Sequence, residues 1–337
     1  MVSKSQTLVT GATGFIGRYL VRTLLARGET VRVLVRSEEK AHALFGDDVT
    51  CFKGDLSDQA SLDHAVKNVE TLYHIAGIYA FGRQNKKNLM QVNVTGTENI
   101  LKAAHRAKVS KVVHVSSAGI LARKKGGASE ASFPILPPSG RPYKASKWFA
   151  EKVALSWVER GLSVVIANPT CHLGQEDNTP TGQIIRDFLA GEFTFSSHTG
   201  LNFLDVRDLA TGLIACAERG RSGQRYVLGQ HNRMLTDFLN ILAKQTGLPG
   251  PKAEVPWHLI AACAVGSECL QSLGLLNSTR VCWETAQQSK FIQFFDGIKA
   301  EQELSWRPQR PLLETIDWTL EAYRMKRELE QPVFSKG

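Results

Sequence analysis

The run Gln6-Thr-Leu-Val-Thr-Gly-Ala-Thr-Gly-Phe-Ile-Gly17 constrains the fold more than any other part of the chain. A β-branched strand pattern ends at Gly11, and a helical pattern begins at Ile16. Gly11 permits a tight turn, Gly14 lets a ligand approach the backbone, and Gly17 allows the new helix to pack closely on the strand. The helix N-terminus then presents unpaired N–H groups and a positive dipole end to phosphate. The spacing differs from G-x-G-x-x-G, yet a strand–turn–helix of this kind points to a dinucleotide. Its site would comprise Gly11, Thr13, Gly14, Phe15, Ile16 and Gly17.

Short β-branched runs alternate with helical patterns through the rest of the first half. Strands are expected at Gln6–Thr10, Thr30–Val35, Val49–Phe52, Thr71–Ile75, Lys111–Ser116 and Ser163–Ala167, with helices such as Ile16–Arg27 and Asn93–Ala107 between them. That rhythm predicts an α/β, Rossmann-type doubly wound parallel sheet covered on both faces. The rhythm changes after Pro169. A loop is expected from Cys171 to Gly182, then helices at Gln183–Leu189, Leu235–Thr246, Trp257–Leu273 and Leu313–Glu330, with one further strand at Tyr226–Leu228. The reading is a dinucleotide-binding domain over residues 1–168, with a return segment near 201–228. A smaller, partly interleaved substrate lobe occupies residues 169–337.

Composition excludes some partners. The formal charge is +9, but the basic residues are scattered, with no stripe and no interleaved aromatics. Nucleic acid is therefore not expected, and the charge suits a phosphorylated cofactor or an anionic substrate. Six cysteines form no C-x-x-C pair and no metal-like spacing with histidine, so reduced, mostly buried thiols and no metal are expected. No signal-peptide pattern precedes the first strand, and the apolar stretch from Leu259 to Gly266 is too short to span a membrane. A cytoplasmic protein without a transmembrane segment is the expectation.

Parallel sheets bind ligands beyond the carboxyl ends of their strands, which makes the residues there informative. Enzymes specialised for NAD usually place an acidic residue after the second strand. Here the strand runs Val31-Arg-Val-Leu-Val-Arg36, and Lys40 follows. A guanidinium at this point matches a ribose 2′-phosphate in charge and geometry, so NADP(H) is favoured. Asp55-Leu56 after the third strand are candidates for adenine contact. Ala76-Gly77 after the fourth are small enough to let the cofactor lie against backbone.

Tyr143 and Lys147 are four apart on a predicted helix and share a face. An ammonium beside a phenol stabilises the phenolate, making a tyrosine whose reference pKa is ~10 a competent proton carrier near neutral pH. Lys147 can also hold the nicotinamide ribose. The fifth strand ends at Ser116-Ser117-Ala118-Gly119, where a hydroxyl can bind a substrate oxygen. Neighbouring strand residues face opposite ways, so the two serines should differ in role, and spacing does not choose between them. His114 and His74 read as structural. His172, following Asn168-Pro169-Thr170-Cys171, is a candidate substrate contact.

These pieces in order resemble the extended short-chain dehydrogenase/reductase family: Thr10–Gly17, Asp55-Leu56, Ser116-Ser117-Ala118, Tyr143-x-x-x-Lys147 and Asn168-Pro169. The likeness spans the whole chain and includes Asn202–Ala210. Within the family it is most similar to dihydroflavonol-reductase-like proteins and to predicted hopanoid-associated sugar epimerases. The resemblance implies Ser117, Tyr143 and Lys147 as catalytic residues and Pro169 beside the cofactor. Two departures stand out: Asn168-Pro-Thr-Cys-His-Leu-Gly174 lacks Tyr-Gly-Pro, and Arg36 is basic where sugar-nucleotide epimerases are acidic.

The expected activity is NADP-dependent reduction of a ketone or aldehyde on a moderately large, largely apolar small molecule. Tyr79 and Phe81 after the fourth strand, with Phe193, Phe195, Phe203 and Trp257 further on, would suit such a substrate. The alternative is a nucleotide-sugar epimerase or dehydratase, for which a pair of basic side chains would have to grip a diphosphate, with Arg186, Arg207, Arg233 and Arg280 as candidates. A nucleotide-regulated binding protein without catalysis is the second alternative. Monomer and homodimer both stay open, since helices able to pair also cover the sheet.

Overall fold

The computed structural model describes residues 6–80, 82–121, 128–272, 283–289 and 291–330. Seven parallel strands form the main sheet: β1 (Gln6–Thr10), β2 (Thr30–Val35), β3 (Val49–Lys53), β4 (Thr71–His74), β5 (Lys111–Val115), β6 (Val164–Pro169) and, after three strands elsewhere, β10 (Arg225–Leu228). Their spatial order is β10-β6-β5-β4-β1-β2-β3. The order reverses between β1 and β4, which opens a crevice beyond the ends of these two strands.

Strand alternation explains why the sheet is buried on both faces. Val9, Val33, Val113 and Val165 pack to one side, joining α1 (Phe15–Ala26), α2 (Glu38–Phe45) and elements from the second half. Leu8, Leu72, Val112, Val164 and Ile166 pack to the other, against α3 (Gln59–Ala65), α5 (Gly96–Arg106) and α6 (Pro142–Glu159). Before α5 come α4 (Lys86–Leu89) and a π-helical turn over Met90–Thr95. The expected helix at Asn93–Ala107 therefore begins inside a π turn. Such turns widen the backbone spiral and recur at functional sites.

The expected loop from Cys171 to Gly182 contains structure that its composition hides. β7 (Cys171–Leu173) joins β9 (Gly200–Asp205) in parallel, and β11 (His231–Met234) flanks β9 in antiparallel. A second small pair is β8 (Ser196–Ser197) with β12 (Glu254–Val255). α7 (Pro180–Leu189) starts three residues ahead of the expected Gln183, with Thr179 capping it through its side chain. A third apolar cluster forms around the β7–β9 sheet, where Phe203 stacks on Phe238 at 4.3 Å between ring centroids. It draws on α7, α9 (Leu235–Thr246) and α13 (Leu312–Glu330). The chain then re-enters the main layer: α8 (Val206–Arg219) packs beside α1 over β5 and β6, and β10 follows it.

The remaining helices are α10 (Trp257–Ser272), α11 (Trp283–Ser289) and α12 (Ile298–Leu304). Among the described residues no helix is long and apolar enough to cross a membrane. The cysteines depart from expectation: Cys216 is buried, Cys51 and Cys171 are partly buried, and Cys263 and Cys269 are exposed on α10. Cys282 and Arg280 lie outside the described residues.

Candidate active site

The glycine-rich turn folds as its residue types require. Gly11 has φ +72°, in the left-handed region, and a Cβ there would lie 2.7 Å from the backbone nitrogen of Ala76. β1 and β4 thus approach each other through Gly11 and Ala76. A Cβ on Gly17 would strike the carbonyl oxygen of Gly11, so the helix can sit this close only with glycine there. Gly14 caps α1 without a side-chain hydrogen bond, and no acidic residue occupies the first turn. Its N–H groups and dipole are therefore left to an anionic ligand, which is the fit a dinucleotide pyrophosphate needs. Thr13 and Ile16 are partly exposed at the turn, whereas Phe15 is buried.

Two charged residues mark the far rim. Arg36 is exposed just beyond β2, and Lys40 is exposed in the first turns of α2. Asp55 accepts hydrogen bonds from the backbone and side chain of Ser57, which hold its carboxyl below the usual range, with Arg36 adding to the effect. Leu56 beside it is buried against Gly96.

Tyr143, Lys147 and Ser117 converge at the carboxyl ends of β4, β5 and β6. Pro142 at the start of α6 fixes the helix entry, so Tyr143 and Lys147 lie in its first turns. The Tyr143 phenol is enclosed; burial pushes its pKa up, and a hydrogen bond with the Ser117 side chain opposes that rise. The Lys147 ammonium donates to the carbonyl of Val115 at 2.9 Å and lies close to Gly77, where a Cβ would come within 3.5 Å of Nζ. Burial lowers its pKa to about 8, and Glu151 acts in the other direction. The Ser117 hydroxyl also accepts from the Gly119 backbone at 3.2 Å. Ser116 faces the opposite way, into the interior, as strand alternation demands.

The aromatic candidates divide. Tyr79 is 40% exposed and its ring lies 4.0 Å from that of Tyr143. Phe81 lies outside the described residues. Trp257 lines a hollow of about 360 Å³ with His198, Glu254 and Pro256, apart from the Tyr143 cluster. Phe203 is in the core of the second lobe. His172 stacks on Phe15 at 5.6 Å with an interplanar angle of 20°, and its Nδ1 meets the Thr170 carbonyl at 3.0 Å. It therefore lies beside the start of α1. Pro169 closes β6 just ahead of it.

The histidines near the strand ends are structural in their contacts. His74 bridges Thr10 Oγ1 at 2.9 Å and Thr97 Oγ1 at 3.0 Å, and burial lowers its pKa to about 3. His114 lies alongside it at 5.5 Å and is likewise held neutral by burial.

Asn93, in the π turn, escaped the sequence reading. Its side chain accepts from the Ile78 backbone at 2.8 Å and donates to the Ile78 carbonyl at 3.0 Å and to Ser146 Oγ at 2.9 Å. One amide thus fastens the segment after β4 to α6 beside Lys147. The available signal was a buried-type polar pair, Asn93 and Thr97, one turn apart in an otherwise ordinary helical pattern.

Of the four arginines suited to a diphosphate, the three among the described residues make contacts within the chain. Arg207 pairs with Asp205 at 2.6 Å and stacks over Trp318 at 3.7 Å. Arg186 bonds the Asp177 carbonyl and, through Nε at 3.1 Å, Gln183. Arg233 bonds the neighbouring Asn232 carbonyl at 2.9 Å. Among the described residues no group of three or more acidic, histidine or cysteine side chains could hold a metal ion.

Comparison with known proteins identifies the family. A putative dihydroflavonol 4-reductase of Synechocystis sp. is 36% identical over 324 residues, covering 92% of this chain and 93% of the relative. A 4-hydroxy-2-methyl-3-oxo-4-farnesyl-3,4-dihydroquinoline-1-oxide ketoreductase of Stigmatella aurantiaca is 30% identical over 79% of this chain and 80% of its own. The crystal structure of gox2253 superposes with a TM-score of 0.82 at 33% identity, covering 96% of this chain and 98% of that one. Residues 7–229 match the NAD dependent epimerase/dehydratase family. The chain therefore belongs to that family, the extended short-chain dehydrogenase/reductases, and is an NAD(P)-dependent oxidoreductase.

Proposed function

We propose that the chain is an NADP-dependent reductase acting on a ketone or aldehyde of a moderately large, largely apolar molecule. The observation that carries this reading is the meeting of Ser117, Tyr143 and Lys147 at the strand ends facing the glycine-rich turn. When bound, the dinucleotide supplies hydride at its nicotinamide ring. Gly11, Thr13, Gly14, Phe15, Ile16 and Gly17 would hold its pyrophosphate, and Arg36 and Lys40 a ribose 2′-phosphate. Asp55 and Leu56 would hold the adenine end, while Ala76, Gly77, Pro169 and Lys147 would flank the nicotinamide ribose and ring. His172, stacked on Phe15 beside the start of α1, is kept as a candidate substrate contact.

The chain's own residues handle the proton. Ser117 Oγ donates to the carbonyl oxygen and stabilises the negative charge that develops there. Burial keeps Tyr143 protonated at neutral pH, so it acts as the acid: the carbonyl carbon gains hydride, the oxygen takes the phenolic proton, and a phenolate remains. Lys147 stabilises that phenolate until solvent returns a proton. Tyr79, partly exposed beside Tyr143, offers an aromatic wall to an apolar substrate. The substrate classes named for the two relatives, a dihydroflavonol and a farnesylated dihydroquinoline-1-oxide ketone, fit such a wall. The engaged Arg186 and Arg207 favour this reading over a nucleotide sugar.

The test is an assay of purified protein with aryl ketones and prenylated quinones, following cofactor oxidation. Net, stoichiometric oxidation of NADPH in preference to NADH is expected. Interconversion of nucleotide sugars without net cofactor consumption, and no ketone turnover, would overturn the proposal.

A further inference from the structure

Three side chains one helical turn apart form a row on α6: Tyr143, which is partly buried, then Lys147 and Glu151, which are buried. Lys147 is 7% exposed and Glu151 0%. Two of them carry the proton chemistry proposed above; the third has no part in it so far. Its surroundings are specific. The Glu151 carboxylate accepts from Asn168 Nδ2 at 3.1 Å on β6 and pairs with Arg225 on β10. Asn168 Nδ2 also donates to the Ser117 backbone carbonyl at 3.3 Å. Arg225 is itself seated over the Phe133 ring at 3.9 Å. One carboxylate thus links the helix that carries Tyr143 and Lys147 to the turn that carries Ser117.

We propose that Glu151 is a positioning residue for the reductase: one turn beyond Lys147 on α6 it sets a carboxylate beside that ammonium and, through Asn168, holds the Ser117 turn against Tyr143. The inference rests on the reductase reading of Ser117, Tyr143 and Lys147. The electrostatic part follows from what faces Lys147. From β4 and β5 come His74 and His114, both kept neutral by burial, so neither supplies a compensating charge. From the π turn comes the neutral Asn93 amide near Gly77. From α6 itself, one turn on, comes Glu151, whose charge acts against the lowering by burial, while the same carboxylate also faces the Arg225 guanidinium on β10. A buried ion pair with Arg225 alone would be a structural device of doubtful stability value. The shared Asn168 bond to Ser117 gives this one a second reach, into the reacting groups.

A merely structural carboxylate would change stability and overall rate without moving the titration of Lys147. Lysine labelled with 13C at Cε reports that titration directly by NMR, with the Lys147 resonance assigned from the Lys147→Arg spectrum. In Glu151→Gln, the Lys147 midpoint is expected to fall by about one pH unit, with and without NADP bound. The alkaline limb of kcat on a reducible ketone should move down with it. Glu151→Asp, which retracts the charge by one methylene, should shift both in the same direction by less, and it serves if the glutamine variant does not fold. A Lys147 midpoint unchanged within about 0.2 pH in the folded variants would overturn the proposal. The NMR titration needs no substrate. A protein that shows the Glu151 shift yet reduces no carbonyl would overturn the reductase reading and leave the Glu151–Lys147 coupling standing.

Discussion

Tyr143 and Lys147 experience the same physical pressure with opposite outcomes. Burial favours the neutral form of each, which raises the phenol and lowers the ammonium. The pair is thereby poised for proton transfer. At the opposite rim, Arg36 stands in the open after β2, with Asp55 close enough to be influenced by it. A hydrogen-bonded charge of this kind contributes about 1.5–3 kcal/mol, roughly a ten- to hundredfold change in affinity. Arg36→Ala should therefore raise the Kd of NADPH by that factor while leaving that of NADH nearly unchanged. Titration of the two cofactors by fluorescence checks this, and equal losses would remove the 2′-phosphate assignment. At this scale the local pairs were legible in the sequence, because Tyr143 and Lys147 are related by helical spacing alone. Asn93, Glu151 and Asn168 were not. Their roles depend on which strands and helices become neighbours, and that is decided by packing over long sequence separations.

Among the elements, the strand–turn–helix at the N-terminus carries the sharpest steric demand. Gly17 sits where any Cβ meets the Gly11 carbonyl oxygen and lies 2.8 Å from Ala12 Cα, both backbone atoms that cannot swing aside. Gly17→Ala should cost about 1–3 kcal/mol by overpacking and should weaken NADPH binding as α1 lifts from the turn. Chemical denaturation and cofactor titration would read both effects; a variant within about 0.5 kcal/mol of wild type would contradict the close-packing role. The strands of the main sheet were legible because they are short runs rich in β-branched and aromatic residues, bounded by helical pattern. The two smaller sheets, β11-β9-β7 and β12-β8, were not. β7 has three residues and β8 and β12 two each, too few to display alternation, and the glycines, prolines and asparagines around β7 imitate a loop. The π turn was hidden for another reason: its residues repeat like those of an ordinary helix.

The molecule as a whole gathers residues from distant parts of the chain into one crevice. Parallel strand order brings the ends of β1, β4, β5 and β6 together, so that Gly11, Gly77, Ser117 and Pro169 line a single region while α6 delivers Tyr143 and Lys147 across it. The second lobe is tied to this region by β7, which leaves β6 through Thr170 and places His172 on Phe15. The cofactor half could be read from motifs because backbone chemistry fixes them. Substrate-side residues come from several short elements, and their identity reflects shape rather than motif. The central claim is that one phenolic proton completes the reduction, and its most direct test compares binding with turnover in Tyr143→Phe. The Kd for NADPH should stay within about threefold of wild type while turnover on a reducible ketone falls by roughly 10²–10⁴-fold, the contribution typical of a general acid. Turnover close to wild type, with NADPH bound equally well, would show that the proton comes from elsewhere.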